Sequence, residues 1–298
     1  MSLKESGKYK SLDFLKFEEV LNENPENPSI TILAKDENDE KAVILLRKKP
    51  FQSNVCQEML SECDLDLDLK NDRYHTFDGT IAAKYQPLRY SMTYPASELH
   101  IAKARSAPTE IWIETKEMFE RLHQPFISSQ LHSLQWVYNI LDKNREKCNE
   151  VDRIVVEDPD PKTGFLVVPD LKWDGKDTKQ LNLCVLINRR DIPTVRHLNS
   201  DHLDLLENIL DKSSKEIAAK YKIPEKQLRM YFHYPPSHYH LHVHITSTFF
   251  GQGCNTERAI LLTDVIENIK MKSSFYAERT MSLPLRVGHK LHNIFENE

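Results

Sequence analysis

His240-Leu241-His242-Val243-His244-Ile245-Thr246 is the stretch on which the reading of this chain turns. Three histidines alternate with three apolar residues. Successive side chains of a β-strand point to opposite faces. A strand here puts His240, His242 and His244 on one face and Leu241, Val243 and Ile245 on the other. The apolar face can anchor the strand in a core and leave a row of imidazoles over a cleft. Histidine can donate a proton, accept one or act as nucleophile near neutral pH, so three in register predict a reaction site. A metal site is the rival reading. At about 3.3 Å rise per residue, neighbouring histidines stand about 6.6 Å apart and the outer pair about 13 Å. Zinc holds its nitrogen ligands at about 2.0–2.1 Å. Two of the three can share an ion, but all three on a regular strand cannot, and no cysteine cluster supplies the missing ligands.

The neighbouring segments give the strand its setting. Residues 228–234 read as a strand ended by Pro235-Pro236-Ser237, expected to pair antiparallel with the histidine strand. Residues 153–156, 164–168 and 181–187 are further strands. Ser200 is expected to cap a helix carrying Leu203, Leu206, Ile209, Leu210 and Ile217, spaced mainly by three or four. Residues 257–270 form a second amphipathic helix, and 115–140 has helical character. These patterns predict an α+β domain, an antiparallel sheet with helices packed to one side. The first hundred residues read as short strands, among them 29–33 and 41–46. Residues 64–69 alternate Asp with Leu, the solvated face of an edge strand. Lys103-Ala104-Arg105-Ser106-Ala107-Pro108 is polar, small and Pro-ended, a hinge. The expected organisation is a smaller, mainly β domain over 1–98, a hinge over 99–114 and a catalytic domain over 115–298.

Composition narrows the partners. The net charge of −5 argues against a general polyanion surface, so DNA is not expected and a phosphate ligand needs a few placed cations. The five cysteines are odd in number and form no C-x-x-C pair, which fits a reducing compartment rather than a disulfide framework. No N-terminal apolar leader and no apolar run of 18 residues occur, so the expectation is a soluble intracellular protein without a membrane partner.

The histidine strand resembles that of the histidine-triad superfamily, whose members hydrolyse or transfer nucleotides. Gln135-Trp136-Val137-Tyr138-Asn139-Ile140-Leu141-Asp142-Lys143, Val168-Pro169-Asp170-Leu171-Lys172-Trp173 and His233-Tyr234-Pro235-Pro236-Ser237-His238-Tyr239-His240 narrow the likeness to the scavenger mRNA-decapping enzymes, over about residues 71–269. The resemblance implies hydrolysis of the 7-methylguanosine cap dinucleotide or of short capped RNA left by 3′-to-5′ decay, releasing 7-methylguanosine monophosphate. It also implies a homodimer with an exchanged N-terminal domain, action in the cytoplasm with the nucleus as a second compartment, and no metal or other cofactor. Residue by residue, it implies that His242 is the nucleophile, flanked by His240 and His244, with His233 on the phosphates. Lys103, Lys172, Ser237, His238 and Arg258 would surround the phosphates, Arg258 near the start of the 257–270 helix. Trp136 and Leu171 would sandwich the cationic base, Glu150 would read its edge, and Asn71 and Asp170 would touch the nucleoside. Asn182 and His238 stand where the family pattern has tyrosine, and about four extra residues lie between Lys143 and Glu150. Two rival functions follow from the same residues: a cap-binding protein without turnover, and a dinucleotide hydrolase without cap selectivity. The intact triad argues against the first, and Trp136 with Glu150 against the second.

Overall fold

The structure, a computed structural model, describes residues 11–25, 28–49, 51–130, 134–170, 173, 175–251 and 253–298. It divides into two compact units between Ala107 and Pro108. In the first unit β1 (Lys16–Asn24), β2 (Ser29–Lys35), β3 (Lys41–Lys48) and β6 (Leu88–Thr93) form an antiparallel sheet in that spatial order. One face buries Leu21, Leu33 and Val43 against Ile101 of the helix Glu98–Ala104. The strands β4 (Asp64–Asn71) and β5 (Tyr74–Thr80) form a separate hairpin. Its aspartates are solvated, as the Asp-Leu alternation predicts, but its leucines are exposed too.

The second unit is built on a six-stranded antiparallel sheet. Its strands are β8 (Val156–Asp158), β9 (Phe165–Pro169), β10 (Asn182–Ile187), β11 (Leu228–His233), β12 (His242–Ser247) and β13 (Ala259–Leu261). Their order across the sheet is β13-β11-β12-β10-β9-β8. The two-residue period sorts the faces. Val243 and Ile245 share one face with Leu183, Val185, Val167 and Phe232, under the helices Leu203–Tyr221 and Leu262–Met271. His242 and His244 lie on the other face with Leu186, Cys184 and Tyr231. There Leu166, Val168 and Leu186 pack against Val137 and Ile140 of the helix Gln135–Leu141. A helix therefore covers part of the histidine face too, and does so beside the imidazoles.

Several boundaries differ from the sequence pattern for local reasons. The regular strand begins at His242, because Leu241 N donates to Ile192 O and leaves the ladder. The 115–140 segment is broken: a π-turn at Phe119–His123 precedes the helix Gln124–Gln130, whose second residue, Pro125, lacks an N–H. Residues 149–153 form a 3₁₀ turn, so the strand starts at Val156. Asn199, not Ser200, accepts the capping hydrogen bond before the long helix. Ala259-Ile260-Leu261 adds to the edge of β11, which delays the next helix to Leu262. Strands β7 (Thr109–Glu114) and β14 (Met281–Arg286) pair in a small sheet.

Candidate active site

The site grows from three adjacent strands and one loop. His244 lies opposite Tyr231 on β11 and Cys184 on β10, and His242 lies opposite Leu186. The ring centroids of His242 and His244 are 5.1 Å apart. His244 stacks on Tyr231 at 5.4 Å and meets His233 at 4.3 Å. His233 Nε2 donates to Gly253 O at 2.6 Å; Gly253 sits at φ +82°, a conformation side chains rarely adopt.

Hydrogen bonds assign the tautomers of the two buried histidines. A carbonyl can only accept. His242 Nδ1 lies 2.8 Å from His240 O, so Nδ1 carries the proton and Nε2 keeps its lone pair. His240 Nε2 lies 3.0 Å from Ile187 O and donates to it. Burial pushes His242 down to about 3 and His240 down to about 4, because desolvation penalises the charged ring. Both imidazoles are neutral at physiological pH.

Residues 234–239 carry the remaining groups. Arg258 Nε donates to Pro235 O at 3.0 Å and its Nη2 to Ser237 Oγ at 3.3 Å. Arg258 is therefore fixed to the loop through its own side chain. It lies in the turn before β13, which corrects the expectation of a helix start. The His238 ring lies 5.5 Å from His242 and 4.8 Å, edge-on, from Trp136. Burial lowers the His238 pKa, opposed first by a backbone hydrogen bond at Ser237 and then by the Asp170 charge. A cleft of about 290 Å³ opens beside Ser237, His238 and Arg258.

Trp136 is 43% exposed and so is not a core residue. Trp173 is buried, with its Nε1 donating to Asp177 O, and Trp112 packs on Phe295. Glu150 sits in the 149–153 turn, where Cys148 Sγ donates to it and holds its carboxyl below the ordinary value. Asp170 N donates to Asn182 O. Asn182 is buried on β10 opposite Thr246, two residues beyond the Cys184–His244 pair. The structure thus brings together His233, His242, His244, Ser237, His238, Arg258 and Trp136, with His240 and Asp170 adjoining. Asn71, at the end of β4, and Lys103, on the helix Glu98–Ala104, are exposed residues of the first unit. Leu171 and Lys172 lie outside the described residues. Tyr231 was not singled out by the histidine motif, although the alternation Tyr231-Phe232-His233 places it on the face of His233.

The fold and site define a class: an antiparallel sheet that carries clustered histidines beside an arginine-braced loop. Comparison with known proteins gives the family. Residues 10–106 match the scavenger mRNA decapping enzyme N-terminal family and residues 135–259 the scavenger mRNA decapping enzyme C-terminal binding family. The m7GpppX diphosphatase of Rattus norvegicus is 39% identical over 88% of this chain and 77% of its own length. That of Schizosaccharomyces pombe is 38% identical over 98% of this chain and 96% of its own, and that of Caenorhabditis elegans 34% over 98% and 93%. The chain belongs to the scavenger mRNA decapping enzyme family.

Proposed function

We propose that this chain is a scavenger decapping hydrolase, cleaving the triphosphate bridge of the 7-methylguanosine cap, with His242 as its nucleophile. The observation that carries the nucleophile is the hydrogen bond from His242 Nδ1 to His240 O, which leaves Nε2 unprotonated at neutral pH without a general base. Nε2 attacks the phosphorus nearest 7-methylguanosine. An N–P bond forms, the P–O bond to the departing diphosphate breaks, and the protein holds a phosphohistidine. Water then cleaves that bond and releases 7-methylguanosine monophosphate. Ser237 and Arg258 offer donors to the charge on the phosphoryl oxygens. The exposed Trp136 face offers stacking to the cationic base. Asn71 and Lys103 are assigned to substrate by resemblance, as are Glu150, Asp170, Leu171 and Lys172.

The substrate class is the cap dinucleotide and short capped RNA, and the working form is a homodimer. The hairpin β4–β5 supports the dimer: Leu65, Leu67, Leu69 and Phe77 are all about half exposed, an apolar surface of the kind that marks an interface. The five free thiols accord with action in the reducing cytoplasm and nucleus. No described helix is long and apolar enough to cross a membrane.

The test is incubation with methylated cap dinucleotide in the presence of a chelator, with the products identified. The expected products are 7-methylguanosine monophosphate and a nucleoside diphosphate, and the unmethylated dinucleotide is expected to turn over more slowly. Binding without turnover would favour a cap-binding role. Equal turnover of both dinucleotides would favour an unselective hydrolase, and activity that needs added zinc would favour a metal site.

A further inference from the structure

Behind the 234–239 loop lies a polar group in the middle of an apolar core. Glu114, His123, Arg196 and Tyr234 are almost fully buried, and Tyr239 is 8% exposed. His123 Nδ1 donates to Glu114 Oε1 at 2.7 Å, which leaves His123 Nε2 to accept from Tyr239 OH at 2.9 Å. Tyr234 OH donates to Glu114 Oε2. Arg196 Nε reaches the same oxygen at 2.8 Å and Tyr234 OH at 2.9 Å. The other guanidinium nitrogens donate to Glu114 O, Tyr276 O and Arg279 O. One carboxylate thus gathers, through an arginine and a histidine, the hydroxyls at both ends of the loop that carries Ser237 and His238. A buried ion pair of this kind is often no more stabilising than apolar residues of the same volume. Stability alone therefore does not account for the placement of the two tyrosines.

We propose that Glu114, His123 and Arg196 are positioning residues that set Ser237 and His238 against the nucleophile through the hydroxyls of Tyr234 and Tyr239. The inference rests on the reading of His242 given above. None of the three touches substrate. They fix the geometry of the loop, and a 1 Å misplacement at a reacting centre costs about 100-fold in rate.

Tyr239→Phe removes only the hydroxyl that reaches His123. Its kcat on methylated cap dinucleotide is expected to fall about tenfold, with KM changed by less than about threefold. Tyr276→Phe is the control for loss of a hydroxyl in the core. Tyr276 OH accepts from Asn268 and not from the loop, so kcat should stay at the wild-type value. Combining Tyr239→Phe with Ser237→Ala should cost less than the product of the single losses, because both act on one phosphate contact. Unchanged kcat in Tyr239→Phe, an equal loss in Tyr276→Phe, or fully multiplicative losses would each overturn the positioning role. Wild-type protein inactive on the cap would sink the reading of the triad and this inference with it. An active wild type beside an unimpaired Tyr239→Phe sinks the inference alone.

Discussion

Strand β4 and the stretch leading into β12 alternate equally strictly, Asp with Leu in one and His with apolar residues in the other, yet their surroundings are opposite. In β4 every residue is exposed, leucines included. In β12 Val243 and Ile245 are fully buried, and even His242 is only 5% exposed. Strand β12 is flanked on both sides, by β10 and β11, and helices cover its apolar face. Strand β4 has one neighbour, β5. A period of two assigns residues to faces; the elements stacked on those faces decide burial. The chemistry follows the burial, because desolvation holds His240 and His242 neutral and a placed carbonyl selects which nitrogen of each keeps its lone pair.

The comparison is broken most severely at the nucleophile. His242→Asn keeps a polar side chain of similar reach but removes the attacking nitrogen. Turnover of the cap dinucleotide is expected to fall at least about a thousandfold, as when a nucleophile is deleted elsewhere. Binding of 7-methylguanosine monophosphate should persist, since Trp136 is unaltered. Wild-type rates in this variant would remove His242 from the mechanism.

The two leucine and valine rows should respond in different currencies. Val243→Ala opens a cavity in the core between sheet and helices, and is expected to cost about 2 kcal/mol or more of unfolding free energy. Leu67→Asp adds a charge where the side chain is already 55% exposed within its own chain. If the proposed homodimer forms through this hairpin, the change leaves the protomer fold intact and shifts the sedimentation of the protein from dimer towards monomer. A Leu67→Asp protein that remains fully dimeric would show that the hairpin is not the interface.

The same contrast explains what the sequence made legible. The sheet faces, the pairing of 228–233 with the histidine strand and the site loop are local consequences of periodicity and of Pro235-Pro236, and all could be read directly. The start of the regular strand at His242 rather than His240 could not: it depends on Leu241 N finding Ile192 O, a contact set by tertiary packing. Arg258 looked like a helix-start residue because Ala259-Ile260-Leu261 fits either a helix or an edge strand until β11 offers a partner. Glu114, His123 and Arg196 come from three separate segments, and no spacing rule joins them. The exposure of Trp136 distinguishes it from Trp112 and Trp173, and composition carries no trace of that difference.

A further test probes burial of the nucleophile directly, through the pH dependence of stability. An exposed histidine in the unfolded chain titrates near 6.5. In the folded protein His242 is held down to about 3, chiefly by desolvation. Between these values the unfolded state binds a proton that the folded state refuses, so stability falls as the pH drops below about 6.5 and is independent of this group above it. The slope is about 1.4 kcal/mol per pH unit for one such group. His240, held down to about 4, adds a slope of the same sign over a shorter range. Other groups titrate there as well, so the useful quantity is a difference between proteins. Urea unfolding of wild type and of His242→Asn, measured in steps from pH 4 to pH 7, should give a shallower acid slope in the variant by about 1.4 kcal/mol per pH unit. The two curves should run parallel above pH 7. Equal acid slopes would mean that His242 takes up its proton as readily in the folded protein as in the unfolded chain. The nucleophile would then sit in water, and the neutral, oriented imidazole that distinguishes β12 from β4 would have to be abandoned.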